Sequence, residues 1–169
     1  MRLKIIKKQP NSKMCFVCGV ANNFGLKSNF YELEDGRLMA IFKPAEEHQS
    51  YPGRLHGGIA ATILDETIGR VIMVKGSEDI WGVTIDFSMK FRKPVPLNEE
   101  VRVLARVVSE KSRYFLAEGE IILADGSVAV TAQGKYLKMD IDKIADFDHE
   151  GEEWRVLPKG DDPDFVDLP

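Results

Sequence analysis

One stretch of this chain carries a long helical period, and it constrains everything around it. Between residue 57 and about residue 75, apolar groups at Ile59, Ile63, Leu64, Thr67 and Val71 fall on one side of a helix at about 100° per residue. The opposite side of a surface helix should be polar, yet Ala61, Ile68, Gly69 and Ile72 surround Asp65 there. A second body must therefore cover that side too.

The rest of the chain alternates. Residues 31–42, YELEDGRLMAIF, read as a hairpin turning at Asp35-Gly36, and Lys43-Pro44 ends its second strand. Residues 82–94, GVTIDFSMKFRKP, set Val83, Ile85, Phe87, Met89 and Phe91 on one face and Thr84, Asp86, Ser88, Lys90 and Arg92 on the other. Strand-like runs follow at about 100–108, 114–123 and 127–137, the last two joined across Ala124-Asp125-Gly126. Two strands, one helix and four strands make an α+β pattern, in which a single antiparallel sheet buries its apolar face on a single long central helix. This domain covers residues 1–138. Beyond it the periodicity ceases and Asp and Glu accumulate, so 139–169 reads as an acidic C-terminal extension, with Phe147, Trp154, Val156, Leu157 and Phe165 as its anchors.

Charge and composition exclude several classes of function. With 44% hydrophobic residues, the 169-residue chain builds one core. A formal net charge of −4 argues against coating the nucleic-acid backbone. The basic start MRLKIIKKQPNSK holds only Ile5-Ile6 as an apolar run, and the helix carries Asp65, Glu66 and Arg70. Neither an export signal nor a membrane span is expected, which leaves the cytoplasm as the default location.

His56-Gly57-Gly58 opens the helix, where backbone N–H groups have no intrahelical partner and can point at an external oxygen. Such donors form an oxyanion hole in acyl transfer; the plainer alternative is a tight glycine turn capped by His56. Glu66 has Arg70 four residues on, but Asp65 has only Ala61, Thr62, Ile68 and Gly69 at those spacings. An unpaired carboxylate near helix-terminal donors suits a nucleophile or general base. A thioester matches this sparse equipment, because its thiol leaving group needs little acid help. Cys15 and Cys18 form a CxxC, but a structural zinc site wants four ligands and the other candidates are His48, His56 and His149. With Gly19, Asn22, Asn23 and Gly25 following, this segment reads as a structured turn, and no metal is expected.

The string HGGIAATILDE, with its acid seven residues after the second glycine, resembles the signature of the PaaI-like group of hotdog-fold thioesterases. The resemblance extends through CFVCGVANNFGL, YPGRLHGG and GVTIDFSMKFRKPVP, from about residue 15 to 137. It implies a helix wrapped by an antiparallel sheet, and a site formed where two subunits of a homo-oligomer, a dimer or a dimer of dimers, meet. It further implies oxyanion donors at Gly57 and Gly58, His56 orienting the carbonyl or the loop, and Asp65 as nucleophile or base. Gln49 lies in the loop where some relatives place an asparagine that positions water. Thr84 stands for a hydroxyl on the following strand, and strict alternation lets it reach the site only across a subunit interface. Lys90, Arg92 and Lys93 are candidates for the phosphates of coenzyme A, and Tyr51, Ile68, Ile72, Met73 and Trp81 for the acyl pocket wall. The expected activity is hydrolysis of an acyl-coenzyme A to free acid and coenzyme A, with no cofactor beyond the coenzyme A of the substrate. The alternative is a non-catalytic acyl-coenzyme A binding or sensor module on the same fold, which gains nothing from an isolated carboxylate. A hotdog dehydratase uses a different His and acid pattern.

Overall fold

Local chemistry sets the turns. Gly36 and Gly126 adopt positive φ of 85° and 79°, a conformation that a residue without Cβ takes up freely. They close both expected Asp-Gly hairpins. The computed structural model describes residues 1–76 and 79–169. Its strands are β1 (Arg2–Lys8), β2 (Asn29–Leu33), β3 (Leu38–Phe42), β4 (Ile80–Phe91), β5 (Val101–Glu110), β6 (Tyr114–Ile122), β7 (Val128–Asp140) and β8 (Phe165–Asp167). Helix α1 spans Gly57–Arg70 and tightens into a 3-10 turn over Val71–Val74. No helix among the described residues is long and apolar enough to cross a membrane.

All pairings are antiparallel, in the order β4-β7-β6-β5-β3-β2-β1-β8, and the eight-stranded sheet wraps α1 in the hotdog arrangement. The second body expected over the Asp65 side of the helix proves to be the chain's own sheet. Ile68, Gly69 and Ile72 are buried. A Cβ added at Gly119 of β6 would lie 2.9 Å from Ile68, and one added at Gly82 of β4 would lie 2.8 Å from the Gly69 carbonyl. Helix and sheet meet at backbone distance here.

Strand β4 departs from the alternation read in sequence. Thr84 pairs with Tyr136 and Asp86 with Lys135, so Ile85 is an extra residue, a β-bulge. On the near side of the bulge, Gly82 and Thr84 face the helix; beyond it, Phe87 and Met89 pack against the core. Val83 and Ile85 therefore do not share a face with Phe87, as strict alternation demands, and Ile85 is 49% exposed.

Two strands lie outside the expected set. In β1, Leu3 is buried between exposed Arg2 and Lys4, and β8 pairs with it, bringing Val166 opposite Leu3. The acidic extension is held along its length. Lys8 Nζ donates to Asp162 and to the Leu157 carbonyl, both at 2.7 Å, and the Tyr31 hydroxyl also donates to Asp162. Trp154 packs on Trp81, with ring centroids 4.8 Å apart, and Phe147 joins them. Val156 is exposed, and Phe165, though 46% exposed, lies under the Arg2 guanidinium at 4.4 Å; Val166 and Leu168 are buried.

The glycine contact between β4 and α1 has a measurable cost of disturbance. Gly82→Ala is expected to destabilise by about 1–3 kcal/mol in urea unfolding, because the new methyl meets backbone that cannot swing aside. Gly160→Ala, where an added Cβ meets nothing within 4 Å, should stay within about 0.5 kcal/mol of the parent.

Candidate active site

Asp65 is half-buried on α1, and the bulge brings a partner to it from the same chain. Thr84 Oγ1 donates to Asp65 Oδ1 at 2.8 Å, so no subunit interface is needed to deliver it. A second donor, absent from the sequence reading, comes from β7: the Tyr136 hydroxyl donates to the same Oδ1 at 3.0 Å. Asp65 is thus partnered, contrary to the expectation from its helical neighbours. Burial, then the Asp65 charge and the hydrogen bond to it, raise the Tyr136 phenol above its ordinary range, so it remains a donor. Tyr136 stacks on Phe115, with centroids 5.2 Å apart, in space left by Gly134. Both hydroxyls use Oδ1; Oδ2 takes no hydrogen bond from any described residue. The result is a carboxylate oriented through one oxygen, the other unpartnered among the described residues.

The other end of α1 carries the candidate donors. His56 is the N-cap, and its Nδ1 accepts from the Gly58 N–H at 2.9 Å. That acceptance needs an unprotonated Nδ1, so the neutral ring carries its proton on Nε2. The cap consumes the Gly58 N–H, whereas the Gly57 N–H makes no hydrogen bond to any described residue. Of the two glycines paired in the sequence reading, Gly57 is the one with a free donor. The Phe91 ring lies beside it, 3.3 Å from where a Cβ on Gly57 would stand. Phe91 is 60% exposed, and Lys90, Arg92 and Lys93 are exposed around it.

Other candidates lie apart from these two groups. Gln49 Oε1 accepts from the Gly53 N–H at 3.0 Å and closes its own loop. In the same loop His48 is buried, with Nδ1 accepting from the Ala45 N–H and Nε2 set against the Phe24 carbonyl. Tyr51 is 78% exposed, and Trp81 is covered by Phe147 and Trp154 of the extension. Ile68, Ile72 and Met73 are core residues.

Residues 52–130 match the family model described as thioesterase superfamily, a span that holds His56, Gly57, Asp65 and Thr84 but ends before Tyr136. The chain is 31% identical over 115 residues to acyl-coenzyme A thioesterase THEM4 of Rattus norvegicus, covering 68% of this chain and 48% of the relative, about half its length. Against acyl-coenzyme A thioesterase 13 of Homo sapiens it is 29% identical over 104 residues, 61% of this chain and 72% of that protein. A crystal structure of a thioesterase superfamily protein superposes with a TM-score of 0.66 at 28% identity, covering 72% of this chain and 58% of the other.

The shared acceptor makes the two hydroxyls thermodynamically coupled. Tyr136→Phe keeps the ring stack and is expected to cost about 1–2 kcal/mol, with the exposed Thr84→Val costing less. In a double-mutant cycle followed by urea unfolding, the pair should show a coupling of about 0.5 kcal/mol or more. Strict additivity would mean that they do not act on one carboxylate.

Proposed function

Because this chain belongs to the thioesterase superfamily, we propose that it hydrolyses an acyl-coenzyme A thioester to the free acid and coenzyme A. The observation that carries the reading is Asp65, with Oδ1 fixed by the Thr84 and Tyr136 hydroxyls and Oδ2 taking no hydrogen bond from any described residue. Oδ2 takes a proton from water attacking the thioester carbonyl, or attacks the carbonyl itself; either route uses the same oxygen. Charge developing on the carbonyl oxygen needs a donor, supplied by the Gly57 N–H and by His56 Nε2–H. Collapse expels the coenzyme A thiolate, whose ordinary acidity near pKa 8.5 lets it leave without a strong acid. This chemistry calls for no cofactor. Lys90, Arg92 and Lys93, exposed at the end of β4, would take the coenzyme A phosphates.

Gly57 and Asp65 of one chain cannot serve the same carbonyl. Eight residues along a helix separate them by about 12 Å, several times the reach of a hydrogen bond. Two copies are therefore required, with Gly57 of the partner subunit facing Asp65 of the first. Strand β4 supports this arrangement, since it is 12 residues long and ends the sheet, with one edge that pairs with no strand among the described residues, a template for pairing with a second copy.

In a thiol-detecting assay over short, medium, long and aromatic acyl-coenzyme A substrates, Asp65→Asn is expected to lower turnover at least about a hundredfold. Tight binding without turnover on any thioester by the parent protein would leave only a binding module. Subunit complementation tests the composite site. Asp65→Asn and Gly57→Val proteins, each inactive alone, should recover about a quarter of parental activity when unfolded and refolded together, from one intact site in each mixed dimer. A site built within one chain gives no recovery.

A further inference from the structure

We propose that Cys15 and Cys18 form a dithiol centre that exchanges with small-molecule disulfides and closes to an intramolecular disulfide, a role separate from acyl chemistry. The two cysteines sit on one turn, closed by the Gly19 N–H donating to the Cys15 carbonyl at 2.8 Å. The turn is tight enough that a Cβ on Gly19 would lie 2.3 Å from that carbonyl oxygen. Both sulfurs and a Glu66 carboxylate oxygen lie within 4.8 Å of one another.

What distinguishes this CxxC from a turn filler is Arg70. Its guanidinium is buried, with Nε on Glu66 at 2.7 Å, Nη1 on the Pro10 carbonyl at 2.9 Å and Nη2 on Cys18 Sγ at 3.1 Å. Cys18 therefore shares with Glu66 the neutralisation of a buried cation. The hydrogen bond from the Cys15 thiol and the Arg70 charge hold the Cys18 thiol below its ordinary range, against the effect of burial. The Cys15 thiol, donating to Cys18 and itself partly buried, is raised. Cys18 Sγ thus faces a guanidinium N–H at 3.1 Å, the setting that favours a thiolate. Exposure divides the roles: Cys15 is half-buried and reachable, whereas Cys18 is fully buried.

A metal reading fits less well. Cys15, Cys18 and Glu66 supply three donors where a structural zinc wants four. Two of these groups already carry Arg70 N–H bonds, and the guanidinium puts a positive charge beside any ion placed there.

The exchange balances as follows. The Cys15 proton passes to Cys18, and the Cys15 thiolate attacks an external disulfide RSSR, forming Cys15–S–SR and releasing RS⁻. That RS⁻ takes the proton from Cys18 and leaves as RSH. Cys18 then attacks the Cys15 sulfur, closing the Cys15–Cys18 bond and releasing a second RS⁻. Two electrons pass from the cysteines to RSSR. Because only the reduced state contains the Cys18 thiolate beside Arg70, oxidation removes an ion pair from the core. The disulfide is then the less stable folded form, as for dithiols whose reduced state is specifically stabilised.

The test treats the folded full-length chain with glutathione disulfide and reads intact mass and peptide mapping. The expected result is loss of two hydrogens with Cys15 linked to Cys18. Cys18→Ser should stop at one bound glutathione on Cys15, and Cys15→Ser should react at least about tenfold more slowly than Cys18→Ser. The oxidised parent protein should melt at a lower temperature than the reduced one. Thiols that resist glutathione disulfide until the chain is denatured would overturn the proposal. So would stoichiometric zinc in the purified protein, released when the thiols are oxidised, or an oxidised form that melts higher than the reduced one.

Discussion

The approach of α1 to β4 at Gly69 and Gly82 governs the geometry of this molecule. With no side chain between them, helix and edge strand come to backbone contact, and a Cβ on Gly82 would intrude to 2.8 Å from the Gly69 carbonyl. Asp65 lies one helical turn before Gly69, and Thr84 two residues after Gly82, so each shares the face of its glycine. At this separation the short threonine side chain spans the gap to the carboxylate. Tyr136, the cross-strand partner of Thr84, arrives beside it because Gly134 leaves room for its ring. The two hydroxyls are thus consequences of a packing decision made by glycines.

The ends of the helix are finished differently. At its start, one backbone N–H is taken by the His56 cap, and that of Gly57, where the helix dipole is positive, meets no acceptor among the described residues. At its end, Arg70 puts a cation where the dipole is negative and distributes it over Glu66, Pro10, Cys18 and the rings of Phe30 and Trp154. Burying a guanidinium is costly unless it is paired and hydrogen-bonded. These partners come from the N-terminal segment, the first hairpin strand, the helix itself and the acidic extension. One buried charge therefore fastens together parts of the chain that are remote in sequence.

What could be read from the sequence was whatever depended on near neighbours. The Asp35-Gly36 and Asp125-Gly126 turns need only a residue tolerant of positive φ, and the Glu66–Arg70 pair needs only a helix. The single-helix, single-sheet architecture follows from the two periods. Thr84 was misplaced because a one-residue bulge at Ile85 inverts the face of everything before it, and a bulge is a property of pairing rather than of the strand's own residues. Tyr136 was missed because it is 71 residues from Asp65 and alternates like any strand residue. Strand β8 is three residues long, too short for a period, and its buried Val166 and Leu168 flank an acid in a stretch that reads as solvated. The β1 alternation of Leu3 and Ile5 was legible but obscured by the surrounding lysines.

These pieces limit how the chain can do chemistry. Its helix holds a free backbone donor at one end and an oriented carboxylate two turns later, and rigidity along a helix fixes that spacing more firmly than any loop could. Tightening the fold does not bring the two together, since the helix is already buried against its own sheet. Under the proposed hydrolysis, the donor opposite Asp65 would come from a second helix running past the first with its Gly57 N–H toward the carboxylate. Strand β4 ends the sheet, so among the described residues one of its edges pairs with no other strand and is where such a neighbour would join. The function proposed for Asp65 therefore carries a proposal about assembly with it: the strand that supplies Thr84 to the carboxylate also ends the sheet, where a second copy would join.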